Sequence, residues 1–260
     1  MAISSALGSS ALLPAGLGFR NVLINGEFRI NQRAYASAAN LASGSYGFDR
    51  WKSTFTNTTL TFTSASQGQM VTINSGGSIE QVIERENITA GTYILSWTGT
   101  ATGRVYNTGA TPPSYAASPI VVTLDGLANV EVEFTASGGT QTLWKPQLEQ
   151  NYQPTPFEQR PIGVELALCQ RYYVRETYGS VGTLWSAFGN SYGCAFPPPV
   201  PMRVLASASA LSTTTVYTTG GSAATVTPSV DVVTARSLRP FVAGTYAYME
   251  AISYEASAEL

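Results

Sequence analysis

The sequence contains no histidine and only two lysines, and charged residues make up 12% of its 260 residues. That charged share is about half of the share in ordinary globular proteins. Since histidine is the most common general base and metal ligand, its absence removes the usual starting point for both kinds of site. A surface so poor in charge must rely on neutral polar groups, which suits a protein held in an assembly or one that meets sugars.

Clusters of basic residues and long apolar runs are absent as well. The formal net charge is −2 and the arginines are scattered singly, whereas nucleic-acid binding needs clustered cations. No run of about 18 apolar residues occurs, so no helix is predicted to span a membrane. Residues 1–20 are small and mainly apolar, but the first positive charge is Arg20, and the missing charged n-region argues against the usual secretion signal. We therefore predict neither a nucleic-acid partner nor a membrane partner.

Cysteine is nearly absent too, with Cys169 and Cys194 as the only two. Two cysteines do not form the disulfide framework of a small secreted domain. We favour two buried thiols in a protein made in a reducing cytoplasm over a disulfide bridge, and the sequence leaves their pairing open.

What the sequence does contain is a series of short runs rich in Thr, Ser, Gly and Val. TLTFT and VEVEF alternate polar and apolar residues, which is typical of a strand with one face on a core and the other in water. Turns with Gly and Asn separate the runs, as in an antiparallel sandwich or jelly roll. The predicted strands before residue 154 lie within 22–30, 49–55, 58–65, 69–73, 78–84, 92–101, 119–124, 130–134 and 142–149.

A proline-rich turn and one short helix interrupt this pattern at TPFEQRPIGVELALCQRYY (155–173). Ile162, Leu166, Cys169 and Tyr173 fall on a single helical stripe, which must pack on the flanking sheets or on the same helix in neighbouring subunits. We predict an all-β fold with two antiparallel β-sandwich (jelly-roll-like) modules joined at this point. The predicted parts are segment 1–20, first module 21–153, joint 154–171 and second module 172–260.

Carboxylates offer little support for catalysis. A glycosidase needs two carboxyl groups about 5–10 Å apart, whereas Glu80 and Glu84 on one strand would be about 13 Å apart. We interpret both as solvated strand charges, and Glu131 and Glu133 as the wet face of their strand. The sequence also has no G-x-S-x-G motif. We predict that the protein is not an enzyme and has no cofactor.

Aromatic residues are the candidates for sugar contacts, because their rings stack on sugar rings. Trp51 and Trp97 lie in the middle of predicted strands, where a core position is expected. Tyr115 lies in the loop NTGATPPSYAAS (107–118), which is either a binding loop or a slack surface connection. The predicted glycan-binding residues are Tyr115, Trp51 and Trp185, and the wider set of candidates also includes Tyr93, Trp97 and Trp144.

Several segments taken together resemble bacteriophage proteins. The start of the first module resembles a jelly-roll, carbohydrate-binding-module-like domain found in phage tail and other virion proteins. The joint and the end of the chain resemble the joint and C-terminal module of the same proteins. The segments that carry the resemblance are NVLINGEFRINQR (21–33), DRW (49–51), SIEQVIE, YILSWTGTA, KPQLE (145–149), TPFEQRPIGVELALCQRYY, FPPPVPMR and SYEASAEL.

The resemblance implies a structural virion component, such as a tail fibre, spike or other appendage. Proteins of this kind are commonly homotrimers, and their β-sandwiches often face host-surface glycans. Residues 1–20 would then attach the protein to other virion proteins, after synthesis in the host bacterial cytoplasm. The alternative is a purely architectural role, as a capsid decoration, a collar or baseplate part, or an adaptor that binds no receptor.

One departure from the family pattern concerns metal binding. Related modules often hold a structural calcium near the acidic residue after the N-G-x-F turn, completed by an Asp in the last strand. Here Glu27 is followed closely by Arg29, and Lys145 lies in the last strand. Calcium needs six to eight oxygen ligands. We therefore predict no metal at this place.

Overall fold

The computed structural model describes residues 19–63, 68–178, 182–183, 185–188, 191–193, 198–204, 206–211, 213–217, 221–243, 248–249 and 252–260. In this part of the chain the strands pair antiparallel and a single α-helix is present, which confirms the predicted all-β class. No described helix is long and apolar enough to cross a membrane. Most of the predicted anchor (1–18) and Cys194 lie outside the described residues.

The strands that precede the helix form two antiparallel sheets. They are β1 (Asn40–Leu41), β2 (Lys52–Ser53), β3 (Thr58–Thr61), β4 (Val71–Ile73), β5 (Ser78–Ile83), β6 (Gly91–Gly99), β7 (Thr102–Asn107), β8 (Ile120–Leu124), β9 (Val130–Thr135) and β10 (Gln141–Glu149). The six-stranded sheet has the order β1-β3-β4-β10-β6-β8, and the four-stranded sheet has the order β2-β5-β9-β7.

Alternate side chains of both sheets meet in one aromatic-rich core. Trp51 is 0% exposed, and its ring centroid lies 5.4 Å from Phe28 and 6.0 Å from Phe134. Trp97 packs edge-on against the same Phe134 at 5.1 Å. The core position expected for Trp51 and Trp97 is therefore confirmed. Burying each large apolar side chain stabilises the fold by about 1.5–3 kcal/mol.

The segment 22–30 forms a turn and not the predicted strand. Asn25 adopts a left-handed conformation with φ of 58°, which asparagine tolerates better than most residues. Its side-chain oxygen accepts from the N–H groups of Arg29 and Ile30, both at 2.9 Å. Its amide donates to Ile30 O at 2.8 Å and to Asp49 O at 3.0 Å. A buried side chain thus takes the place of strand pairing here.

Strand β7 was absent from the sequence-based prediction, which left residues 102–106 without an assignment. The stretch TGRVYN nevertheless alternates, because Gly103 and Val105 face the core while Arg104 and Tyr106 face away from it. The strand is short and contains a glycine, and glycine weakens strand propensity.

Helix α1 (Ile162–Gln170) packs on the first module and on the end of the chain. Cys169 is buried in a cluster with Ile24, Ile30 and Tyr172, and Leu166 and Leu260 pack against this cluster. The predicted stripe holds at Cys169 and Leu166. It fails at Ile162, which is largely exposed, and at Tyr173, which begins the next strand. The helix ends at Gln170, one turn too early to carry the stripe further.

The strands after the helix form three smaller sheets in the described part of the chain. They are β11 (Tyr173–Tyr178), β12 (Gly182–Thr183), β13 (Trp185–Phe188), β14 (Ser191–Gly193), β15 (Ser207–Ala210), β16 (Thr214–Tyr217), β17 (Ala223–Val226), β18 (Ser229–Thr234), β19 (Ser237–Ala243), β20 (Tyr248–Met249) and β21 (Ile252–Ser257). Their orders are β11-β21-β15, β12-β20-β16-β17 and β13-β14-β19-β18.

A buried ion-pair network, here called the clasp (Arg33, Arg50, Tyr172 and Glu259), joins the end of the chain to the first module. The Glu259 carboxylate pairs with Arg33 at 3.1 Å and with the deeply buried Arg50. The Arg50 guanidinium lies 3.6 Å from the centre of the Tyr172 ring. In addition, the N–H of Ala258 donates to Tyr172 O at 2.7 Å. The two modules therefore share a polar interface whose charged side chains are mostly buried.

Candidate functional site

The four-stranded sheet turns one face towards the core and the other away from it, and the second face is here called the outer face. The strand register places Lys52 opposite Glu80, Glu80 opposite Glu133, and Glu133 opposite Arg104. These four side chains form a row of cation, carboxylate, carboxylate and cation across all four strands. Only the pairing of distant strands brings them together, since Lys52 and Glu133 are far apart in sequence.

Hydrogen bonds and ion pairs hold the centre of this row. Arg104 donates to Glu133 Oε2 from Nε at 2.7 Å, and its Nη2 lies 2.5 Å from the same oxygen. The hydroxyls of Ser78 and Thr54 donate to Glu133 Oε1 at 2.6 and 2.7 Å. Glu133 is 1% exposed. Its prediction as part of a wet strand face is therefore wrong, because neighbouring side chains of the outer face cover it.

The prediction of solvated charges is also wrong for Glu80 and Glu84, since both are buried. Lys52 Nζ lies 2.9 Å from Glu80 Oε1. Glu84 pairs with Arg171 at 3.2 Å and with Arg203 at 3.5 Å. The joint and the second module thus cover the Glu84 end of the outer face, which a reading of the strand alone could not anticipate.

Two tyrosines flank Arg104 on the uncovered part of the outer face. The carbon of its guanidinium lies 5.3 Å from the centre of the Tyr106 ring and 4.2 Å from the centre of the Tyr115 ring. Tyr115 comes from the long loop, which is fixed to β7 by two hydrogen bonds of 2.9 Å between Gly103 and Ala116. Both tyrosines are half-buried, so each keeps part of its ring accessible. The loop is a built part of the sheet edge and not a slack connection.

The next row of the outer face contains Val82, Glu131 and Tyr106. Glu131 is half-buried, and the described residues place no cation within ion-pair distance of its carboxylate. Burial and the neighbouring Glu131 carboxylate raise the pKa of Tyr106 above its ordinary value. Burial and the nearby Glu133 carboxylate raise the pKa of Tyr115 to about 12. Both phenols are therefore neutral at neutral pH, and the Tyr115 hydroxyl is itself buried.

Glu80 and Glu133 deserve comparison with a pair of catalytic carboxylates, because directly opposed residues have Cβ atoms about 4.5–5.5 Å apart. Burial raises the pKa of Glu80, whereas the hydrogen bonds from hydroxyls and guanidinium outweigh burial at Glu133 and lower its pKa. Opposite shifts of this kind occur in acid–base pairs. Glu133, however, is inaccessible and both of its oxygens already accept hydrogen bonds. Glu133 therefore presents no free carboxylate oxygen to a ligand.

The structure separates the predicted glycan-binding residues. Trp51 lies in the core, so its prediction as a sugar contact is wrong. Trp185 begins strand β13, but its side chain lies outside the described part of the chain. Tyr115 lies on the outer face, where its role remains a prediction. Among the wider candidates, Tyr93 and Trp97 are buried, and Trp144 is half-buried with Lys145 Nζ 4.3 Å from its ring.

Arg104 and Tyr106 were missed by sequence reasoning because strand β7 was missed. The alternation in TGRVYN was the signal that could have found them. Even that signal would not have revealed Glu133 as the partner of Arg104. That pairing depends on the register between β7 and β9, which the sequence does not state.

The place considered for calcium holds cations of the protein itself. The Glu27 carboxylate lies 3.5 Å from Arg29 Nη1 and 3.8 Å from Lys145 Nζ. Within the described residues no group of three or more Cys, Asp or Glu side chains could hold a metal ion. The absence of a metal stays a prediction, and the geometry at Glu27 favours it.

Comparisons with known proteins give no family. No family model matches the chain, and no curated protein matches it. One similar solved structure is a cycloisomaltooligosaccharide glucanotransferase from Paenibacillus sp. in complex with cycloisomaltoheptaose, at 10% identity and a TM-score of 0.25. The match covers 86% of this chain and 46% of that chain, so the present chain spans about half of that protein's length. A likeness this low supports no inference about fold or function.

Proposed function

We propose that the chain is a structural protein of a bacteriophage virion, part of a tail fibre or spike, whose outer face contacts host-surface glycans. The phage assignment rests on the segments that resemble virion proteins, above all 21–33 and 155–173. The glycan assignment rests on one observation, which is the placement of Tyr106 and Tyr115 on either side of Arg104 on an uncovered sheet face.

The chemistry of the outer face suits sugars. Aromatic rings offer apolar surface to the C–H face of a sugar ring, while phenol and carboxylate groups hydrogen-bond its hydroxyls. Tyr106 lies on strand β7 and Tyr115 lies beside it. The ion pair with Glu133 fixes the Arg104 guanidinium near both rings. A site built on strands and supported by such contacts is pre-organised, which lowers the cost of binding.

Residues 1–20 serve as the attachment to other virion proteins in this proposal, and the protein acts as a homo-oligomer, most simply a trimer. Arg20 donates to Thr155 Oγ1 at 2.8 Å, so the first described residues lie beside the joint. Deleting residues 1–18, which retains this contact, should give a folded oligomer that no longer joins the virion. Normal incorporation of the truncated protein would contradict the attachment role.

The test of the glycan role is an array of host-surface polysaccharides, probed with the full chain and with the variants Tyr106→Ala and Tyr115→Ala. Truncating an aromatic residue at a binding site costs about 1–2 kcal/mol, so each variant should bind about five- to thirtyfold more weakly. Tyr152→Ala is the matched control, because Tyr152 is 78% exposed and follows the other sheet. Absence of any glycan binding by a folded oligomer would favour the architectural alternative.

A further inference from the structure

The positive charges of the outer face are already occupied. Arg104 uses Nε and Nη2 on Glu133, at 2.7 and 2.5 Å, and its Nη1 donates to Pro113 O at 3.4 Å. All three guanidinium nitrogens thus have partners within the protein. Lys52 Nζ lies 2.9 Å from Glu80 Oε1 and donates to Leu260 O at 3.2 Å. Recognition of a carboxylate or phosphate normally uses a guanidinium fork or an ammonium without a carboxylate partner, whereas Arg104 is already ion-paired with Glu133 and Lys52 with Glu80.

The carboxylate without an ion pair on the described outer face is Glu131. Glu84, at the covered end, pairs with Arg171 and Arg203. The rest of the face holds two cations, Lys52 and Arg104, and three carboxylates, Glu80, Glu131 and Glu133. Glu80 and Glu133 are paired with these cations, which leaves Glu131 without a salt bridge in the described structure. Glu131 lies in the row that contains Tyr106. An anionic ligand that stacked on Tyr106 would therefore approach a carboxylate well within the Debye length of about 8–10 Å.

A neutral sugar is not repelled by the Glu131 carboxylate. A sugar hydroxyl can donate to the Glu131 carboxylate in a charge-assisted hydrogen bond, and the Tyr106 phenol can donate or accept. The Tyr115 hydroxyl is buried, so this residue offers only its ring to a ligand. The half-buried rings of Tyr106 and Tyr115 supply the stacking surface. The same groups that repel an anion thus favour an uncharged, hydroxyl-rich ligand.

We propose that the outer face selects uncharged glycans and rejects anionic ones, such as polysaccharides that bear uronate, sialate or phosphate groups. This inference rests on the proposed glycan role and specifies the class of ligand for the same surface. Binding to an uncharged glycan releases no counterions, so its affinity should change less than twofold between 50 and 500 mM NaCl. An anionic ligand held by cations would lose affinity steeply over this range.

The experiment compares acidic host polysaccharides with their carboxyl-reduced forms, which keep the same sugar sequence but carry no charge. A panel of neutral polysaccharides is included, and binding of the full chain is measured at both salt concentrations. We expect binding to neutral and carboxyl-reduced polymers, at least tenfold weaker binding to the acidic forms, and little effect of salt. Tighter binding of acidic polymers with strong salt dependence would overturn the inference and leave the proposed glycan role intact. Failure of every polymer in both classes would overturn the glycan role itself.

A charge-neutral variant locates the effect. Glu131→Gln keeps the side-chain shape but removes the charge, so discrimination against acidic polymers should fall about three- to tenfold. Glu86→Gln is the matched control, because Glu86 is exposed in the turn that follows β5 and its substitution should leave discrimination unchanged. Unchanged discrimination in Glu131→Gln would contradict the assignment to Glu131.

Discussion

The two modules differ in how they are stabilised. The first has a core cluster of 23 buried residues that includes Phe28, Phe48, Trp51, Trp97 and Phe134. In the described part of the second module one cluster holds six buried residues, three of which are alanine or methionine at positions 202, 256 and 258, and Val216, Val242 and Met249 are buried outside it. Because stabilisation scales with buried apolar area, the first module is expected to be stable by its own packing. We predict that the second module depends more on its contacts with the first.

The clasp shows how that dependence is built. Glu259 follows the last strand of the second module and reaches Arg33 and Arg50 of the first. Tyr172, between the modules, lies on Arg50 and donates to Glu84 Oε2 at 3.1 Å. Apolar packing thus stabilises the first module, whereas buried ion pairs attach the second module to it. The following substitutions test that contrast.

Trp51→Ala should give the largest effect. Removing a fully buried tryptophan leaves a cavity and costs about 3–5 kcal/mol of unfolding free energy. Because the second module relies on the first, hydrogen exchange should increase in both modules, which chemical denaturation with exchange measurements would detect. Tyr152→Ala, at an exposed site, is the control and should change the free energy by less than about 0.5 kcal/mol. Loss of protection in the first module alone would contradict the dependence.

Glu259→Gln should rank second. The substitution leaves Arg50, which is 2% exposed, without its opposite charge, and breaking a buried ion pair costs about 3 kcal/mol or more. Exchange should rise most in the sheet β11-β21-β15, next to the clasp. Glu86→Gln breaks an exposed pair with Arg85 and serves as the control, since exposed pairs contribute about 0–1 kcal/mol. Equal effects of the two substitutions would show that the clasp contributes little.

Met202→Ala should have a smaller and more local effect. Met202 is buried in the small cluster of the second module, and truncating a buried methionine costs about 2 kcal/mol at the low end of the usual range. We expect faster exchange in the second module and unchanged exchange in strands β5 and β9. A matching loss of protection in β5 and β9 would mean that the two modules unfold only as one unit.

The pH dependence at Glu133 should give the smallest effect. Its folded pKa lies below the unfolded value, so the ionised carboxylate stabilises the fold above the unfolded pKa. This contribution is lost as the pH falls through the folded pKa. Between pH 6 and pH 3, the wild-type protein should therefore lose more stability than Glu133→Gln, measured by urea denaturation at each pH. The two proteins are compared by the slope of unfolding free energy against pH, because the substitution also weakens hydrogen bonds at every pH. Parallel slopes would contradict the account of this residue.

The sequence predicted what depends on local pattern. Alternation in VEVEF placed Val130, Val132 and Phe134 on the core, and mid-strand position placed Trp51 and Trp97 there. The proline-rich joint with one short helix was likewise found, because proline excludes a central strand and suits a helix start.

What depends on pairing between distant strands was not predicted. The burial of Glu80 and Glu133 arises from the register of β2, β5, β9 and β7, which no local pattern encodes. Residues 22–30 were predicted as a strand with a turn or bulge signal at Asn25-Gly26, and the structure keeps only the turn. The side-chain hydrogen bonds of Asn25 to Ile30 and Asp49 become evident only in three dimensions.

The central claim is that the outer face, around Tyr106 and Tyr115, is the surface that meets glycan. Hydrogen exchange of the intact protein, measured with and without a neutral polysaccharide that binds it, tests this claim most directly. The account predicts that protection increases in β7 (Thr102–Asn107) and in the loop at 108–119, with little change elsewhere. Protection confined to the second module or to the six-stranded sheet would contradict it.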